Sequence, residues 1–325
     1  MNDKGIYKFT YEEVKKNIEK HLKRVKVDSN LPFPNTVLLD TCPFCNLHCS
    51  FCPHDRTTRP KAFMDWQLYK KIIDEIAEKN SYVHVYMVFS GEGLIMKDLP
   101  ERIKYAKEKG LKRVILNTNS VLMTKEWAER LVKAGLDVLY PAVDGMTQET
   151  YGKIRIGGDL KKAIQGVLNY QEALQKYGRS DQKMYVQFVE TEENVHEEEE
   201  LIRFWHEKGI PVKLRPQTSW GGKVRANHLK LFPERLPCYW ALTTMVIINN
   251  GDVSLCAVDI DCEYNMGNVK KEGIENVWNG KLKEFRELHL KGMWDKLPEL
   301  CRNCRDWQAA YADYVEINQG IEKVV

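Results

Sequence analysis

The feature that most narrows the fold of this 325-residue chain is a repeated alternation of short apolar runs with amphipathic stretches of helical period. The apolar runs lie at 36–40, 83–89, 112–116, 137–143, 184–189 and 211–215, and the helical stretches at 65–79, 99–109, 124–134, 159–177 and 195–208. Strand followed by helix, repeated, predicts an α/β class with a parallel sheet and right-handed crossovers. In such sheets the chemistry gathers at the C-terminal ends of the strands.

Outside this region the pattern changes. Residues 11–25 read as one amphipathic helix, ended by Pro32 and Pro34. Residues 216–237 carry Gly221, Gly222, Pro233 and Pro237 and read as a linker. Beyond it, 244–256 reads as a β-hairpin around Asn250-Gly251, and 274–289 as a helix. The expected organisation is an N-terminal helical extension over 1–35, a strand–helix domain over 36–215, the linker 216–237 and a small domain over 238–325.

Bulk properties exclude several function classes. The formal net charge is only +3, which argues for neither a nucleic-acid-binding nor a membrane surface. No run approaches the ~20 apolar residues of a membrane span, and the N-terminal MNDKGIYKFT has no signal-peptide core. Nine cysteines in a chain of this length, without a signal, read as metal ligands rather than disulfides. The expected compartment is a reducing cytoplasm, that of an anaerobe, because exposed clusters are oxygen-labile.

Three of these cysteines stand in the run Cys45-Asn-Leu-His-Cys49-Ser-Phe-Cys52, soon after the first apolar run. Thiolates this close can hold three corners of a cubane iron–sulfur cluster, whereas a structural zinc takes four ligands. The fourth iron then offers a place for another molecule to bind. The run is similar to the signature of the radical S-adenosylmethionine (SAM) enzymes, including an aromatic residue, Phe51, just before the last cysteine. That resemblance implies a partial (β/α)6 barrel over the six strand–helix units. It also implies a [4Fe-4S] cluster whose open iron is chelated by SAM, and an electron that cleaves SAM to methionine and a hydrogen-abstracting 5′-deoxyadenosyl radical.

Cys238, Cys256, Cys301 and Cys304 form a second set. From spacing alone, zinc and an iron–sulfur cluster are equally open. Together with Gly251, Met266-Gly267-Asn268 and Val277-Trp278-Asn279, the set resembles the C-terminal SPASM/twitch extension of radical SAM proteins. Cys304 is the last cysteine, so the longer, two-cluster SPASM pattern is absent. The resemblance therefore implies the twitch form: a hairpin plus helix around one auxiliary [4Fe-4S] cluster held by all four cysteines.

The same resemblance points to SAM contacts. Ser90-Gly91-Glu92 resembles the family's GGE motif, which meets the SAM amino group; a carboxylate at a strand end suits an ammonium. Asn117, Asn119 and Asp144 stand where the family contacts the ribose, Gln187 is a further candidate, and Arg155 would reach the SAM carboxylate. Cys42 reads as an inert, partly buried thiol. Cys262 is either a hydrogen-atom donor to a substrate radical or a loop cysteine, and Arg215 either a substrate-binding residue or a salt-bridged rim residue.

Three reactions fit the resemblance. They are two-electron oxidation of a sugar-like alcohol, as in 2-deoxy-scyllo-inosamine dehydrogenase-type twitch enzymes, epimerisation with Cys262 as donor, and modification of a ribosomally made peptide. Many peptide maturases carry an N-terminal leader-binding domain of about 80 residues, and only residues 1–35 precede the first strand here. The expectation is thus an oxidoreductase acting on a small sugar-, cyclitol- or nucleoside-like substrate, supplied with electrons by a flavodoxin- or ferredoxin-type donor. A non-enzymatic iron–sulfur scaffold is the out-of-class alternative, and reductive SAM cleavage would exclude it.

Overall fold

A computed structural model describes residues 11–25, 31–227, 229, 232–309, 314–318 and 320–324. Residues 1–10 and 26–30 of the predicted N-terminal extension lie outside it. The six apolar runs each contribute a strand: β1 (Thr36–Leu39), β2 (His84–Tyr86), β3 (Arg113–Thr118), β4 (Val138–Pro141), β5 (Val186–Glu190) and β6 (Val212–Pro216). Helix α1 (Tyr11–Val25) precedes them, and the intervening helices are α2 (Trp66–Lys79), α3 (Leu99–Glu108), α4 (Lys125–Ala134), α5 (Gln148–Ile154), α6 (Leu160–Tyr177) and α7 (Glu198–Glu207). Side-chain caps start most of them: Asp65 accepts from the Gln67 and Leu68 amides, Thr124 from Trp127, Thr147 from Thr150 and Asp159 from Lys162. Helix α4 stops at Gly135, whose φ of 91° favours glycine.

Strands β1 to β4 pair in parallel in sequence order. The two-residue strand Lys183–Met184 continues the sheet from β4, and a parallel bridge from Ala142 to Gln187 carries it onto β5, which pairs with β6. The strand at 314–318 then runs antiparallel along β6, and 320–324 returns along it.

Side chains alternate across this sheet. Val37, Leu39, Val85, Met87, Val114, Leu116, Leu139, Val186, Phe188 and Val212 are buried together with Leu68, Ile72, Leu99, Ile103, Leu131, Val167 and Trp205 of the helices. The register places Tyr86, Asn117, Tyr140, Gln187, Lys213 and Arg215 on the opposite face. The outer face is thus a conventional apolar core, and the inner face of the half-barrel sets these polar side chains among Leu38, Ile115, Val138 and Val189.

The expected hairpin is present as β7 (Thr244–Ile247) and β8 (Val253–Ser254), with Gly251 at φ 92° in the turn. It does not stand apart from the barrel. β7 pairs in parallel with β1, Thr36 opposite Thr244 and Leu39 opposite Ile247, so the C-terminal region extends the barrel sheet. The helix expected over 274–289 is two helices, Ile274–Asn279 and Lys281–Leu290, because Gly280 adopts a non-helical ψ of −124°. No helix among the described residues is long and apolar enough to cross a membrane.

At the start of α7, burial first and the neighbouring charge of Glu190 second push the Glu198 carboxyl up from 4.5 to about 7. An acid whose folded pKa is raised penalises the fold once ionised. The penalty is absent below about 4.5 and complete above about 7. Because Glu198 is partly exposed, its size is about 1 kcal/mol after screening. Glu198→Gln should therefore raise the thermal midpoint at pH 8 and leave it nearly unchanged at pH 4.5; equal shifts at both would refute the linkage.

Candidate active site

Cys45, Cys49 and Cys52 lie on the loop leaving β1, at the C-terminal edge of the sheet. A short antiparallel ladder holds this loop: His48–Cys49 pairs with Arg155–Ile156, Cys49 opposite Arg155. Arg155 Nη1 stands 3.5 Å from Cys49 Sγ, and its guanidinium lies 4.9 Å from the Phe51 ring centroid. Its Nε donates to Asp144 Oδ2 at 2.5 Å, and Asp144 Oδ1 accepts from the Val189 amide at 2.6 Å. The cation at the cysteine loop is thus anchored through a fully buried carboxylate to β5. Burial pushes the Cys45 thiol up to about 11 and Cys52 up to about 12, so a metal centre here must displace protons to bind.

After β2 the chain passes beneath this loop. The Glu92 amide donates to Phe44 O at 2.7 Å, and a Cβ on Gly91 would overlap the carbonyl oxygens of Cys42 and Phe44. Only glycine lets the two backbones approach this closely. The Glu92 carboxylate is buried and accepts from Leu94 N at 3.0 Å, Thr118 Oγ1 at 2.8 Å and Asn119 N at 2.7 Å. Burial raises its pKa in spite of these bonds. Ser90 Oγ donates to Asp40 at 2.8 Å and accepts from Arg59 Nη2 at 2.7 Å, while Arg59 pairs with Asp40 at 2.6 Å. Cys42 is buried, donates to Glu92 O at 3.2 Å, and burial pushes its thiol up to about 12.

Asn119 spends its side chain on Asn46 Oδ1 and the Val121 amide, at 2.9 and 3.1 Å. Asn117 differs: its Oδ1 is buried without a hydrogen-bond partner. Gln187 accepts from Arg215 Nη1 at 3.2 Å on the polar inner face. The side chains of Ser90, Glu92, Asn119 and Asp144 make bonds within the protein, and Asn117 Oδ1 is a buried acceptor left without one.

The second cysteine set converges. Cys238, Cys256, Cys301 and Cys304 line one cavity, walled by Trp240, Phe285, Leu300 and Trp307. Burial raises all four thiols, Cys238 to about 12. The donor set and apolar walls fit a cubane cluster with all four corners held by protein. Around it stand residues that sequence reasoning missed. Arg235 Nη2 donates to Cys301 Sγ at 3.3 Å, and His289 Nε2 lies 3.4 Å from the same sulfur. Burial, and then the Arg235 charge, lower the His289 pKa to about 3. The Asp306 amide donates to Cys304 Sγ at 3.3 Å. Arg235 and Asp306 stand three residues before Cys238 and two after Cys304, the signal that was available.

Residues 219–222, read as linker, connect the two centres. Asp306 accepts from Ser219 N at 2.5 Å, Ser219 Oγ at 3.0 Å and Gly221 N at 2.8 Å. Trp220, at φ 52°, donates Nε1 to Phe51 O at 3.1 Å and packs near Phe89. The loop of Cys262 also docks on the barrel, since Thr58 N donates to Asp261 Oδ1 at 2.8 Å and Arg59 Nε to Ile260 O at 2.8 Å. Cys262 has φ 54°, and burial with Asp259 pushes its thiol up to about 12.

Gly91→Ala should force the cysteine loop off the end of β2, because the atoms in conflict are backbone rather than a flexible side chain. We expect a lower melting temperature and a reduced iron content after reconstitution, with wild-type values for both contradicting the close approach.

A family model described as the Radical SAM superfamily matches residues 39–211, and one described as an iron–sulfur cluster-binding domain, SPASM, matches 238–305. The Fe-coproporphyrin III synthase of Methanosarcina barkeri (strain Fusaro / DSM 804) is 29% identical over 80% of this chain and 78% of that protein. A probable GTP 3′,8-cyclase of Methanococcus maripaludis (strain C5 / ATCC BAA-1333) is 32% identical, but over 40% of this chain and 43% of its own length. The chain thus spans less than half of the cyclases it matches. Two solved structures share the fold. BtrN in complex with AdoMet and 2-DOIA has a TM-score of 0.58 at 18% identity, covering 83% of this chain and 92% of that one. Streptococcus suis SuiB bound to S-adenosylmethionine has a TM-score of 0.66 at 16% identity, covering 91% and 78%. With a cysteine loop at the sheet edge and four cysteines around a second cavity, this chain belongs to the radical SAM superfamily and carries a C-terminal SPASM-type iron–sulfur domain, its cofactors being SAM and two [4Fe-4S] clusters.

Proposed function

We propose that the chain is an oxidoreductase that removes hydrogen from a small polar substrate of the sugar, cyclitol or nucleoside class, with a flavodoxin- or ferredoxin-type electron donor. Cys45, Cys49 and Cys52 would hold the SAM-binding cluster, and Cys238, Cys256, Cys301 and Cys304 the auxiliary one. When bound, these groups supply reductive SAM cleavage, a hydrogen-abstracting 5′-deoxyadenosyl radical, and an acceptor for the electron left on the substrate. The observation that carries the reading is the cavity lined by all four cysteines of the second set. A cubane with every corner bound to protein exchanges electrons but offers no iron to the substrate.

The chain's own residues prepare the site. Arg155 sets the cysteine loop against β5, and Glu92 ties the end of β2 to the end of β3. Asn117 Oδ1 suits a hydroxyl or amine of SAM, and the Gln187–Arg215 pair on the inner face suits a polar substrate. Trp220 packs near Phe89 and donates to Phe51 O, which ties the segment 219–222 to the first cysteine loop. The synthase with long coverage is named for Fe-coproporphyrin III, so carboxylated iron porphyrins belong in the substrate panel beside cyclitols and nucleosides.

A second reading, epimerisation, draws on Cys262. Its thiol is kept protonated on a docked, positive-φ loop, as a hydrogen-atom donor requires. Anaerobic turnover by the reconstituted holoenzyme with deuterated substrate separates the two. Oxidation predicts deuterium in 5′-deoxyadenosine, a product two mass units lighter than unlabelled substrate would be, and an unimpaired Cys262→Ala variant. A product isomeric with the substrate, its abstracted deuterium replaced by solvent hydrogen, and lost in Cys262→Ala, would establish epimerisation instead.

SAM affinity tests Asn117 separately. Asn117→Ala should weaken SAM binding by about 0.5–1.5 kcal/mol, the net worth of one hydrogen bond, without lowering the melting temperature of the SAM-free protein. An unchanged dissociation constant would remove Asn117 from the site.

A further inference from the structure

The four cysteines of the second cavity do not sit in equivalent surroundings. Cys301 faces two side-chain nitrogens: Arg235 Nη2 at 3.3 Å and His289 Nε2 at 3.4 Å. The histidine tautomer follows from its other contact. The Cys238 amide donates to His289 Nδ1 at 3.3 Å, so Nδ1 must present a lone pair. The neutral ring therefore carries its proton on Nε2, aimed at the Cys301 sulfur. Phe285 and Trp294 hold the ring edge-on at 4.8 and 5.8 Å, and His289 is fully buried. Arg235 is fixed as firmly. Its Nη1 donates to Cys301 O at 2.5 Å and to Arg302 O at 3.1 Å, and its guanidinium lies 5.4 Å from the Trp294 ring.

Across the cavity, Cys304 receives a backbone N–H from Asp306 and stands beside that residue's carboxylate. One sulfur thus receives two side-chain N–H bonds and a full positive charge, and another lies next to an acid. Hydrogen bonds to cluster sulfurs and nearby positive charge favour the reduced, more negative state and raise the reduction potential.

We propose that Arg235 and His289 set the reduction potential of the auxiliary cluster, raising it through N–H···S bonds and a guanidinium charge directed at Cys301. This deepens the oxidoreductase reading, which assigns that cluster the role of electron acceptor. An acceptor must lie above the potential at which a substrate radical gives up its electron, and the charge at Cys301 moves it in that direction. Both residues act through a ligand and touch no reacting atom.

The test is an anaerobic redox titration followed by electron paramagnetic resonance, in a Cys45/Cys49/Cys52→Ala background so that the auxiliary cluster alone reports. Arg235→Gln should keep about four iron per chain, the content of one cubane. It should also lower the midpoint, with the reduced-to-oxidised ratio at a fixed potential falling about tenfold, 59 mV for one electron. Arg235→Lys, which keeps the charge but loses the fork, should recover part of that shift, and His289→Phe should shift the midpoint in the same direction by less. If Arg235→Gln fails to hold iron, Arg235→Lys and His289→Phe decide the matter. Wild-type midpoints in the iron-loaded variants would overturn the proposal and leave Arg235 a clamp on the chain at Cys301. The titration uses no substrate, so it fails or succeeds independently of the product analysis that tests oxidation.

Discussion

The buried pair between Arg155 and Asp144 is the interaction on which the rest of the site depends. Asp144 is wholly inaccessible and Arg155 nearly so, and each would be costly without the other. Their contact decides where the cysteine loop sits, because Arg155 is also the strand partner of Cys49 and the cation over Phe51. Asp144 in turn accepts from β5, so loop position is referred to the sheet rather than to other loops. A site that must present three sulfurs to one cluster gains from such a reference, since loops alone hold position poorly.

The same logic recurs around the inner rim. Asp40 after β1, Glu92 after β2, Asn119 after β3 and Asp144 after β4 are polar residues just beyond strand ends. Each spends its side chain on a neighbouring segment: Arg59 and Ser90, Thr118 and Asn119, Asn46, and Arg155 with Val189. The result is a ring of satisfied polar groups that fixes the loops with little freedom left to lose on binding. Within it Asn117 stands out by what it does not do.

Much of this was legible in the residues. Local periodicity placed every barrel strand and its helix, because the outward face of each strand is apolar and the helices bury one stripe against it. The run 83–89 was read too long for a physical reason. Met87 still donates to Ile115 O at 2.9 Å, but Val88, as buried as the strand, lies beyond its last paired residue where the chain turns to deliver Ser90-Gly91-Glu92. Burial, not pairing, is what composition reports. The cysteine spacing marked both centres, and the polar end of the strand Arg113–Thr118 at Asn117 was visible as the close of an apolar run. Glu92 and Asp144 read as SAM contacts; the bonds they also make, to backbone amides and side chains far along the chain, were not legible. Parallel pairing of β1 with β7 leaves no local trace, nor do the approaches of Arg235 and His289 to Cys301, which join segments 66 and 12 residues apart.

That pairing of β1 with β7 has a mechanical consequence. The first cysteine loop leaves the sheet at Leu39, and the segment bearing Cys256 leaves beyond β8, the strand paired with β7. The ladders join β1 to β7 and β7 to β8, so both segments are held in one sheet, two strand spacings of about 4.8 Å apart in the pairing direction. The separation of the two cysteine sets is therefore built into a sheet and not left to a tether. Thermal swinging of one region against the other would have to break backbone hydrogen bonds before it could change that separation, so the spacing of the two sets should be nearly insensitive to temperature, viscosity and crowding.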